Sequence, residues 1–290
     1  MLKKILIVLI ITLISVGIGF FLYNAQQPPK QKTKNKEETK LTYTALGDSV
    51  AAGIGLNDPS DSSACDRTEQ SYPNQLAKLQ NYEMTNLACS GAKLTNGILQ
   101  SQEINKLSLT PQLDKMFEKV KPDIITITIG ANDARWTEII TKCYLSTCGD
   151  TQDLVSIKQS LATISDNLHS TLQKIEQQYP KNPPKVFVTG YYQVFPETVP
   201  AKCSDLQNIS ENEIKQGRTL LASLSQTIQA TTNNFDNVEF IAIDFSGHEL
   251  CSQDPWVQGL NAKAPYHPNA MGQKAIAEQI SSAIENDNNR

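Results

Sequence analysis

The hydrophobic pattern from residue 41 onwards consists of short apolar runs separated by longer amphipathic segments. Each short run is rich in β-branched or aromatic residues and lies near a Gly, Pro, Asn or Asp, which is typical of a strand bounded by turns. The runs predict five strands: Thr42–Leu46, Met84–Ala88, Ile124–Ile129, Val186–Thr189 and Val238–Ile243.

Three longer segments carry apolar residues at helical spacing. The stripes are Leu154, Ile157, Leu161, Ile164, Leu168, Ile175 and Tyr179; then Ile214, Leu221, Leu224 and Ile228; then Ile276, Ile280 and Ile284. Ser210 and Glu213 stand at capping-box spacing before the second stripe. Strands that alternate with long helices imply βαβ crossovers. The sequence therefore predicts a three-layer α/β/α sandwich around a mostly parallel five-stranded sheet, with ligands bound beyond the carboxyl ends of the strands.

An uncharged run of 19 residues, Ile5 to Tyr23, precedes this pattern. As a helix it would span about 28 Å, close to the ~30 Å hydrocarbon core of a bilayer. We expect residues 1–23 to form a transmembrane signal anchor; the alternatives are a signal peptide cleaved near Ala25 and a buried core helix. Residues 24–40 are rich in Gln, Pro, Lys and Thr and predict a flexible linker to a single domain at 41–290.

Flanking charge and cysteine content bear on which side of the membrane the domain lies. Five lysines follow the apolar run and only Lys3 and Lys4 precede it, so charge counting alone favours a cytoplasmic domain. Long domains, however, translocate largely regardless of flanking charge, and an even number of cysteines is typical of an oxidising compartment. We therefore expect a single-pass protein of the cell membrane with its domain outside the cytoplasm, secreted if the run is cleaved.

Composition and charge exclude several classes of protein. Hydrophobic residues make up 39% and charged residues 19% of the chain, which argues against a wholly disordered chain and a disulfide mini-protein. Residues 41–290 hold 19 basic and 28 acidic residues, a formal net charge of about −9. Because such a surface repels phosphates, nucleic acid is not an expected partner.

The six cysteines allow 15 pairings. They are Cys65, Cys89, Cys143, Cys148, Cys203 and Cys251. No C-x-x-C motif occurs in the sequence. Disulfides are therefore expected rather than a metal site.

Three short motifs follow the first three predicted strands. Ser49 lies in Gly-Asp-Ser-Val, where a serine in a strand-to-helix turn projects its hydroxyl from the sheet edge; a helix N-cap is the alternative. Gly91, in Cys-Ser-Gly-Ala, either lets the backbone approach a ligand or forms an ordinary turn. Asn132, in Gly-Ala-Asn-Asp, either offers its amide to an oxyanion or forms an Asx turn, and Asp133 is expected to order the loop.

A fourth motif, His-Pro-Asn, contains one of only three histidines. His267 stands before Pro268, which we expect to be the first residue of the last helix, so that the imidazole is held at a helix start. His169 lies in a helical segment and is expected on the surface. His248, in Gly-His-Glu, is a competing candidate.

The four motifs follow one another along the chain in the order Ser49, Gly91, Asn132 and His267. This order gives the SGNH (GDSL) hydrolase superfamily its name, and the chain resembles this superfamily. The resemblance to its secreted bacterial lipases and esterases spans roughly residues 41–285 and is carried by Tyr43-Thr-Ala-Leu-Gly-Asp-Ser-Val-Ala-Ala-Gly, Tyr72-Pro73, Gly190-Tyr191-Tyr192, His248-Glu-Leu-Cys-Ser, Pro255-Trp256 and His267-Pro268-Asn269. It implies a flavodoxin-like sandwich with Ser49 as nucleophile and His267 as base. It further implies an oxyanion hole formed by the backbone N–H groups of Ser49 and Gly91 and the amide of Asn132, with no metal or organic cofactor.

The chain departs from the family pattern at two positions. Ala131 stands where the family commonly has Gly, a small change that we expect to be tolerated. Ala264 stands where the family often has an acid that orients the histidine. Some secreted relatives use a backbone carbonyl instead, so we expect the carbonyl of Ala264 or Pro265 to accept the Nδ1–H of His267 in a Ser–His dyad. Asp254 is the carboxylate that competes with this interpretation.

Sequence order and the resemblance together favour the disulfides Cys65–Cys89, Cys143–Cys148 and Cys203–Cys251. The first and last pairs would tie loops that carry the site, where preorganisation matters most. Six aromatic residues near these loops are candidates for an acyl pocket, with core packing as the alternative: Trp136, Tyr191, Tyr192, Phe195, Trp256 and Tyr266.

These expectations combine into an extracytoplasmic serine ester hydrolase of the lipase or esterase type. Its substrate would be an ester of a lipid, a phospholipid or an acylated glycan, and a thioester remains open. The alternatives are an acyltransferase that passes the same acyl group to a glycan or wall polymer, and a catalytically inert binding module of the same fold. We expect a monomer held at the membrane by its N-terminal helix.

Overall fold

The computed structural model describes residues 40–56, 64–119 and 121–288. Its strands are β1 (Thr42–Gly47), β2 (Glu83–Asn86), β3 (Gln102–Ile104), β4 (Leu107–Leu109), β5 (Ile124–Thr128), β6 (Lys185–Thr189) and β7 (Val238–Ile241). Its helices are α1 (Ser49–Ala52), α2 (Tyr72–Gln80), α3 (Gln112–Lys119), α4 (Trp136–Leu145), α5 (Thr151–Gln178), α6 (Glu211–Thr232) and α7 (Ala270–Asn288), with a 3₁₀ turn at Ser204–Leu206.

Five strands form one sheet in the order β2-β1-β5-β6-β7, and all neighbouring strands are parallel. The register places Thr44 of β1 beside Thr85 of β2 and Ile125 of β5. Strand β5 is buried along its whole length, as expected for a parallel strand covered on both faces. The predicted parallel sheet is confirmed, although β2 and β7 end earlier than the apolar runs that predicted them.

Helices cover both faces of this sheet. The crossovers from β1 to β2 and from β5 to β6 run in opposite directions across the sheet, and right-handed crossovers then place their helices on opposite faces. Accordingly, α2 packs with α7, and α5 packs with α6. The change of direction between β1 and β5 leaves a crevice beyond their carboxyl ends, which is where ligands bind in this type of sheet.

The long helices begin at side-chain caps. The predicted capping box is present at α6, where Ser210 and Glu213 exchange hydrogen bonds with each other's backbone N–H groups. Asp150 caps α5 by accepting a hydrogen bond from the N–H of Asp153. These caps fix where the helices start and therefore where the preceding loops end.

The antiparallel hairpin of β3 and β4 lies outside the main sheet and was not predicted. Each of its strands has only three residues and most of them are at least partly exposed, so no continuous apolar run marks them. The expected anchor at residues 1–23, and residues 24–39 of the expected linker, lie outside the described residues. Within the described ranges, no helix is both long enough and apolar enough to cross a membrane.

Candidate active site

The nucleophile candidate stands on a sharp turn directly after β1. Gly47 has a φ of 147°, and a Cβ there would lie 2.3 Å from the carbonyl oxygen of Thr128, so this turn requires glycine. The amide of Gln112 holds the turn through two hydrogen bonds to the Gly47 backbone, at 2.8 and 2.9 Å. Asp48, rather than Ser49, is the N-cap of α1, and its carboxylate accepts a hydrogen bond from the N–H of Val50. Ser49 is thereby placed at the first helical position, beyond the carboxyl end of β1.

Ser49 and His267 are in hydrogen-bond contact. The distance between Ser49 Oγ and His267 Nε2 is 2.8 Å, and the distance between His267 Nδ1 and the carbonyl oxygen of Pro265 is 3.1 Å. Since a carbonyl only accepts, Nδ1 carries the proton and Nε2 is left to accept from the serine hydroxyl. Burial lowers the pKa of His267, while hydrogen bonds with the Pro265 and Ala264 backbone act in the opposite direction. The imidazole is therefore neutral at pH 7.

Backbone hydrogen bonds hold the loop that carries the histidine. The His267 carbonyl accepts from the N–H of Gln258 at 2.8 Å, and the Tyr192 hydroxyl donates to the carbonyl of Tyr266 at 2.9 Å. The expectation that Pro268 begins the last helix was wrong, because α7 begins at Ala270. Between the two, the side-chain oxygen of Asn269 accepts from the N–H groups of residues 271 and 272 and caps the helix.

Gly91 and Asn132 line the same cavity as Ser49 and His267. Gly91 has a φ of 75°, which favours glycine. In the described part of the chain, the N–H groups of Ser49 and Gly91 have no protein acceptor. Asn132 Nδ2 donates to the carbonyl of Ala92 at 3.0 Å, which uses one of its two hydrogens and leaves the other available. These two N–H groups and the second amide hydrogen of Asn132 are therefore available to a ligand in this cavity.

Asp133 orders the loop that carries Gly91. Its two carboxylate oxygens each lie 3.1 Å from the N–H of Leu94. Burial raises the pKa of Asp133 to about 6, although the hydrogen bond from Leu94 lowers it. This arrangement fits the structural role expected for Asp133.

A buried pair that sequence reasoning missed links the nucleophile turn to the Asn132 loop. The Tyr191 hydroxyl donates to the carboxylate of Asp48 and accepts from the N–H of Ala131 at 3.1 Å. Burial raises the pKa of Asp48 to about 7, while the hydrogen bonds from Tyr191 and Val50 lower it. Tyr191 was expected only as a possible pocket wall, and Asp48 had no assigned role, because no local pattern pairs two residues this far apart.

Helix α4 forms one wall of an apolar cavity of about 530 Å³ that opens beside Ser49. We call it the α4 cavity; its lining includes Ser49, Gly91, Asn132, His267, Trp136, Ile140, Tyr144, Tyr191, Tyr192, Val194, Leu221, Leu260 and Tyr266. Four of the six predicted aromatic residues thus line it. The other two do not: Phe195 packs against Trp136 and Tyr266, and Trp256 stacks on His248.

The competing histidine, His248, stacks on Trp256. Its ring lies parallel to the Trp256 ring with centroids 3.7 Å apart, and its Nδ1 is 2.7 Å from the carbonyl oxygen of Asp254. The Asp254 carboxylate also lies 3.7 Å from His248, so it is engaged there rather than at His267. His169 is exposed on α5, as expected.

All six cysteines are paired in the order expected, as Cys65–Cys89, Cys143–Cys148 and Cys203–Cys251. The first disulfide ties the segment after the nucleophile to the loop that carries Gly91. Among the described residues, one cluster has metal-ligand side chains, Cys143 and Cys148 with Glu213. Its sulfurs form a disulfide and the Glu213 carboxylate accepts from the Cys148 N–H, so these groups are already engaged.

A serine in hydrogen-bond contact with a histidine, at the switch point of a parallel sheet, is the arrangement typical of a serine hydrolase. The model of the GDSL-like lipase/acylhydrolase family matches residues 45–275, and the chain belongs to this family. It is a carboxylic ester hydrolase of the SGNH (GDSL) superfamily, as the resemblance implied.

Similar proteins come from Streptomyces. A lipase of Streptomyces rimosus is 31% identical over 245 residues, which cover 80% of this chain and 82% of the relative. The crystal structure of the extracellular lipase of the same species covers 84% of this chain and 99% of that one, with 28% identity and a TM-score of 0.68. A phospholipase A1 of Streptomyces albidoflavus is 25% identical over 84% of this chain and 99% of that one, with a TM-score of 0.65.

Proposed function

We propose that this protein is a lipase or esterase that hydrolyses carboxylic esters through an acyl-enzyme on Ser49, with His267 as the general base and acid. The observation that carries the proposal is the 2.8 Å contact between Ser49 Oγ and His267 Nε2 at the mouth of the α4 cavity. The family membership and the lipase relatives support the same assignment.

In the first half of the reaction, Ser49 Oγ forms a bond to the ester carbonyl carbon and its proton passes to His267 Nε2. The electron pair of the carbonyl double bond moves onto the oxygen. When the tetrahedral intermediate collapses, the bond between the carbonyl carbon and the alcohol oxygen breaks. The proton on Nε2 goes to that oxygen, and the alcohol leaves.

In the second half, water attacks the acyl-enzyme. The water oxygen bonds to the acyl carbon as one of its protons passes to His267 Nε2. The bond between the acyl carbon and Ser49 Oγ then breaks, and the proton passes from Nε2 to Oγ as the acid is released. The pKa of His267, lowered by burial, keeps the imidazole neutral and able to accept each proton at pH 7. The proton transfers in both halves of the reaction involve only Ser49, His267, the substrate and water.

The charge on the carbonyl oxygen is stabilised by the N–H groups of Ser49 and Gly91 and by the Asn132 amide. These donors are held in place before the reaction by the turn at Gly47, the positive φ at Gly91 and the bond from Asn132 to Ala92. Loss of one such donor typically costs about 2.7–4 kcal/mol of transition-state stabilisation.

The acyl part of the substrate lies in the α4 cavity. Apart from the reacting groups, this cavity presents mainly aromatic and aliphatic side chains, so it binds a hydrocarbon chain by excluding water from it. Its volume of about 530 Å³ is within the usual range of ligand pockets.

The domain acts outside the cytoplasm, attached to the cell membrane through residues 1–23. Three disulfides need an oxidising compartment, and a structural relative is an extracellular lipase. Amino-terminal sequencing of the protein from isolated membranes tests the anchor. An intact start is expected; a mature chain that begins near Ala25 would show cleavage and secretion instead.

Covalent labelling tests the catalytic assignment. An alkyl p-nitrophenyl phosphonate is expected to inactivate the protein and to label Ser49, as mapped by peptide mass spectrometry. Ser49→Ala should abolish hydrolysis of p-nitrophenyl butyrate, whereas Ser101→Ala, at an exposed serine outside the cavity, should not. A label on another serine, with activity surviving in Ser49→Ala, would refute the proposal.

A further inference from the structure

A second cleft adjoins the α4 cavity at the Gly91 loop. It has a volume of about 950 Å³ and lies against the β3–β4 hairpin, so we call it the hairpin cleft. Ser90 and Gly91 line both spaces. An ester bound with its carbonyl oxygen at the Gly91 N–H therefore lies beside a residue that both spaces share.

The two spaces differ in polarity. Helix α4 gives the first an apolar wall, whereas Asp66, Lys93, Asn96, Gln102 and Glu103 contribute polar side chains to the hairpin cleft. The carbonyl carbon of an ester is bonded to an acyl chain and to an alcohol oxygen. These two substituents extend from the carbon in different directions. The apolar space suits the acyl chain, so the hairpin cleft is left for the alcohol part.

Gln102 is the group that indicates what kind of alcohol fits. The residue is only 8% exposed, and its Nε2 donates to the carbonyl of Ser90 at 2.8 Å. A Cβ built on Gly91 would be 3.6 Å from this Nε2, so the amide lies next to an oxyanion donor. Among the described residues, no donor reaches the Gln102 side-chain oxygen. Because its Nε2 is already bound to Ser90, the oxygen is the free end of this amide, and a ligand hydroxyl can donate to it.

We propose that the hairpin cleft binds the alcohol part of the substrate, and that this alcohol is rich in hydroxyl groups, as in a sugar or polyol. The inference rests on the function proposed above and specifies its substrate class. Gln102 accepts a hydrogen bond from a substrate hydroxyl, and Lys93 and Asn96 offer donors to neighbouring oxygens. A phosphodiester headgroup suits the cleft less, because it has no hydrogen to give to Gln102 and would face the carboxylates of Asp66 and Glu103.

The test compares esters that share a butyryl group and differ in the alcohol. Purified full-length protein is assayed with p-nitrophenyl butyrate, glucose monobutyrate, hexyl butyrate and dibutyryl glycerophosphocholine, which has no free hydroxyl. The alcohol affects acylation, so kcat/KM is the quantity to compare. We expect glucose monobutyrate to exceed both hexyl butyrate and the phosphodiester by about tenfold or more, as two or more hydroxyl contacts would give.

The variants Gln102→Ala and Asn96→Ala should lower the ratio of glucose monobutyrate to hexyl butyrate, Gln102→Ala by about fivefold, the worth of one hydrogen bond. The ratio cancels any general effect on the oxyanion loop. Gln100→Ala, an exposed glutamine on the same loop outside the cleft, is the matched control and should keep the parental ratio.

Two outcomes would overturn the inference: a parent enzyme that prefers hexyl butyrate or the phosphodiester, or an unchanged ratio in both Gln102→Ala and Asn96→Ala. Failure to hydrolyse any of the esters, p-nitrophenyl butyrate included, would instead refute the proposed function.

Discussion

The Nδ1 atom of His267 lies 3.1 Å from the carbonyl oxygen of Pro265, a residue two positions earlier in the same loop. A carbonyl fixes the tautomer and the ring orientation as a carboxylate would, but it carries no full charge to stabilise the imidazolium. In a triad, spoiling the carboxylate costs about 10⁴ in rate. The loop geometry thus supplies the orienting function of the missing acid at Ala264.

The first prediction concerns a dyad without a carboxylate. His267→Ala should remove nearly all activity, because His267 Nε2 is the base in hydrogen-bond contact with Ser49 Oγ. Asp254→Asn and Asp244→Asn should each lower kcat/KM less than about tenfold, since their carboxylates engage His248 and Ser246 respectively. A loss beyond roughly a thousandfold in either folded variant, about 4 kcal/mol of transition-state stabilisation, would indicate a hidden triad.

The second prediction concerns pH. Only neutral His267 accepts the serine proton, and burial lowers its pKa from 6.5. Activity should therefore be lost as pH falls, with kcat/KM dropping through an apparent pKa below 6.5. Asp48, whose pKa burial raises to about 7, also titrates near this range, so the profile should be measured in Asp48→Asn as well. The fall in kcat/KM at low pH that persists in Asp48→Asn belongs to His267. A midpoint of that fall above pH 6.5 in this variant would contradict the assignment of His267 as the base.

The third prediction concerns two adjacent tyrosines after β6 that hold different halves of the site. Tyr191 joins the nucleophile turn to the Asn132 loop through Asp48, and Tyr192 holds the histidine loop through Tyr266. Replacement by Phe keeps the ring in the cavity wall and removes only the hydroxyl. Tyr191→Phe should lower kcat by about tenfold or more and Tyr192→Phe by a few-fold, because bonds to charged acceptors contribute more.

In both tyrosine variants KM should stay near the parental value, as expected when positioning rather than substrate binding is lost. Tyr82→Phe, at the amino-terminal side of β2, is the control and should leave kcat unchanged. Equal changes in KM and kcat, or none in either, would argue against a positioning role.

The fourth prediction concerns the disulfides. Cys203–Cys251 closes a loop with a sequence separation of 48, and Cys143–Cys148 closes one with a separation of 5. On the chain-entropy argument, removing the first by paired Cys→Ser substitutions costs about 4 kcal/mol of unfolding free energy, and removing the second about 2 kcal/mol. Urea denaturation of the two double variants measures the difference. The reverse order of stabilities would show that factors other than loop entropy dominate.

The sequence by itself determined the layers, the sheet and the order of the site residues along the chain. Buried parallel strands appear as continuous apolar runs, and the turns after them appear as Gly, Asn and Ser positions, so Ser49 and Asn132 could be placed at strand ends from local patterns alone. Because such strand ends meet at one edge of the sheet, the meeting of these residues also followed from the sequence.

The tertiary structure decided which of several possible partners each side chain contacts. Pro265, not Ala264, faces His267 Nδ1, and Asp254 faces His248, choices that depend on the path of one loop. Tyr191 reaches Asp48 across 143 positions of sequence, and no local periodicity encodes such a pair. The β3–β4 hairpin, whose three-residue strands carry no continuous apolar run, places Gln102 beside Gly91. Contacts of this kind arise from the packing of whole elements, and packing acts between residues that are close in space rather than along the chain.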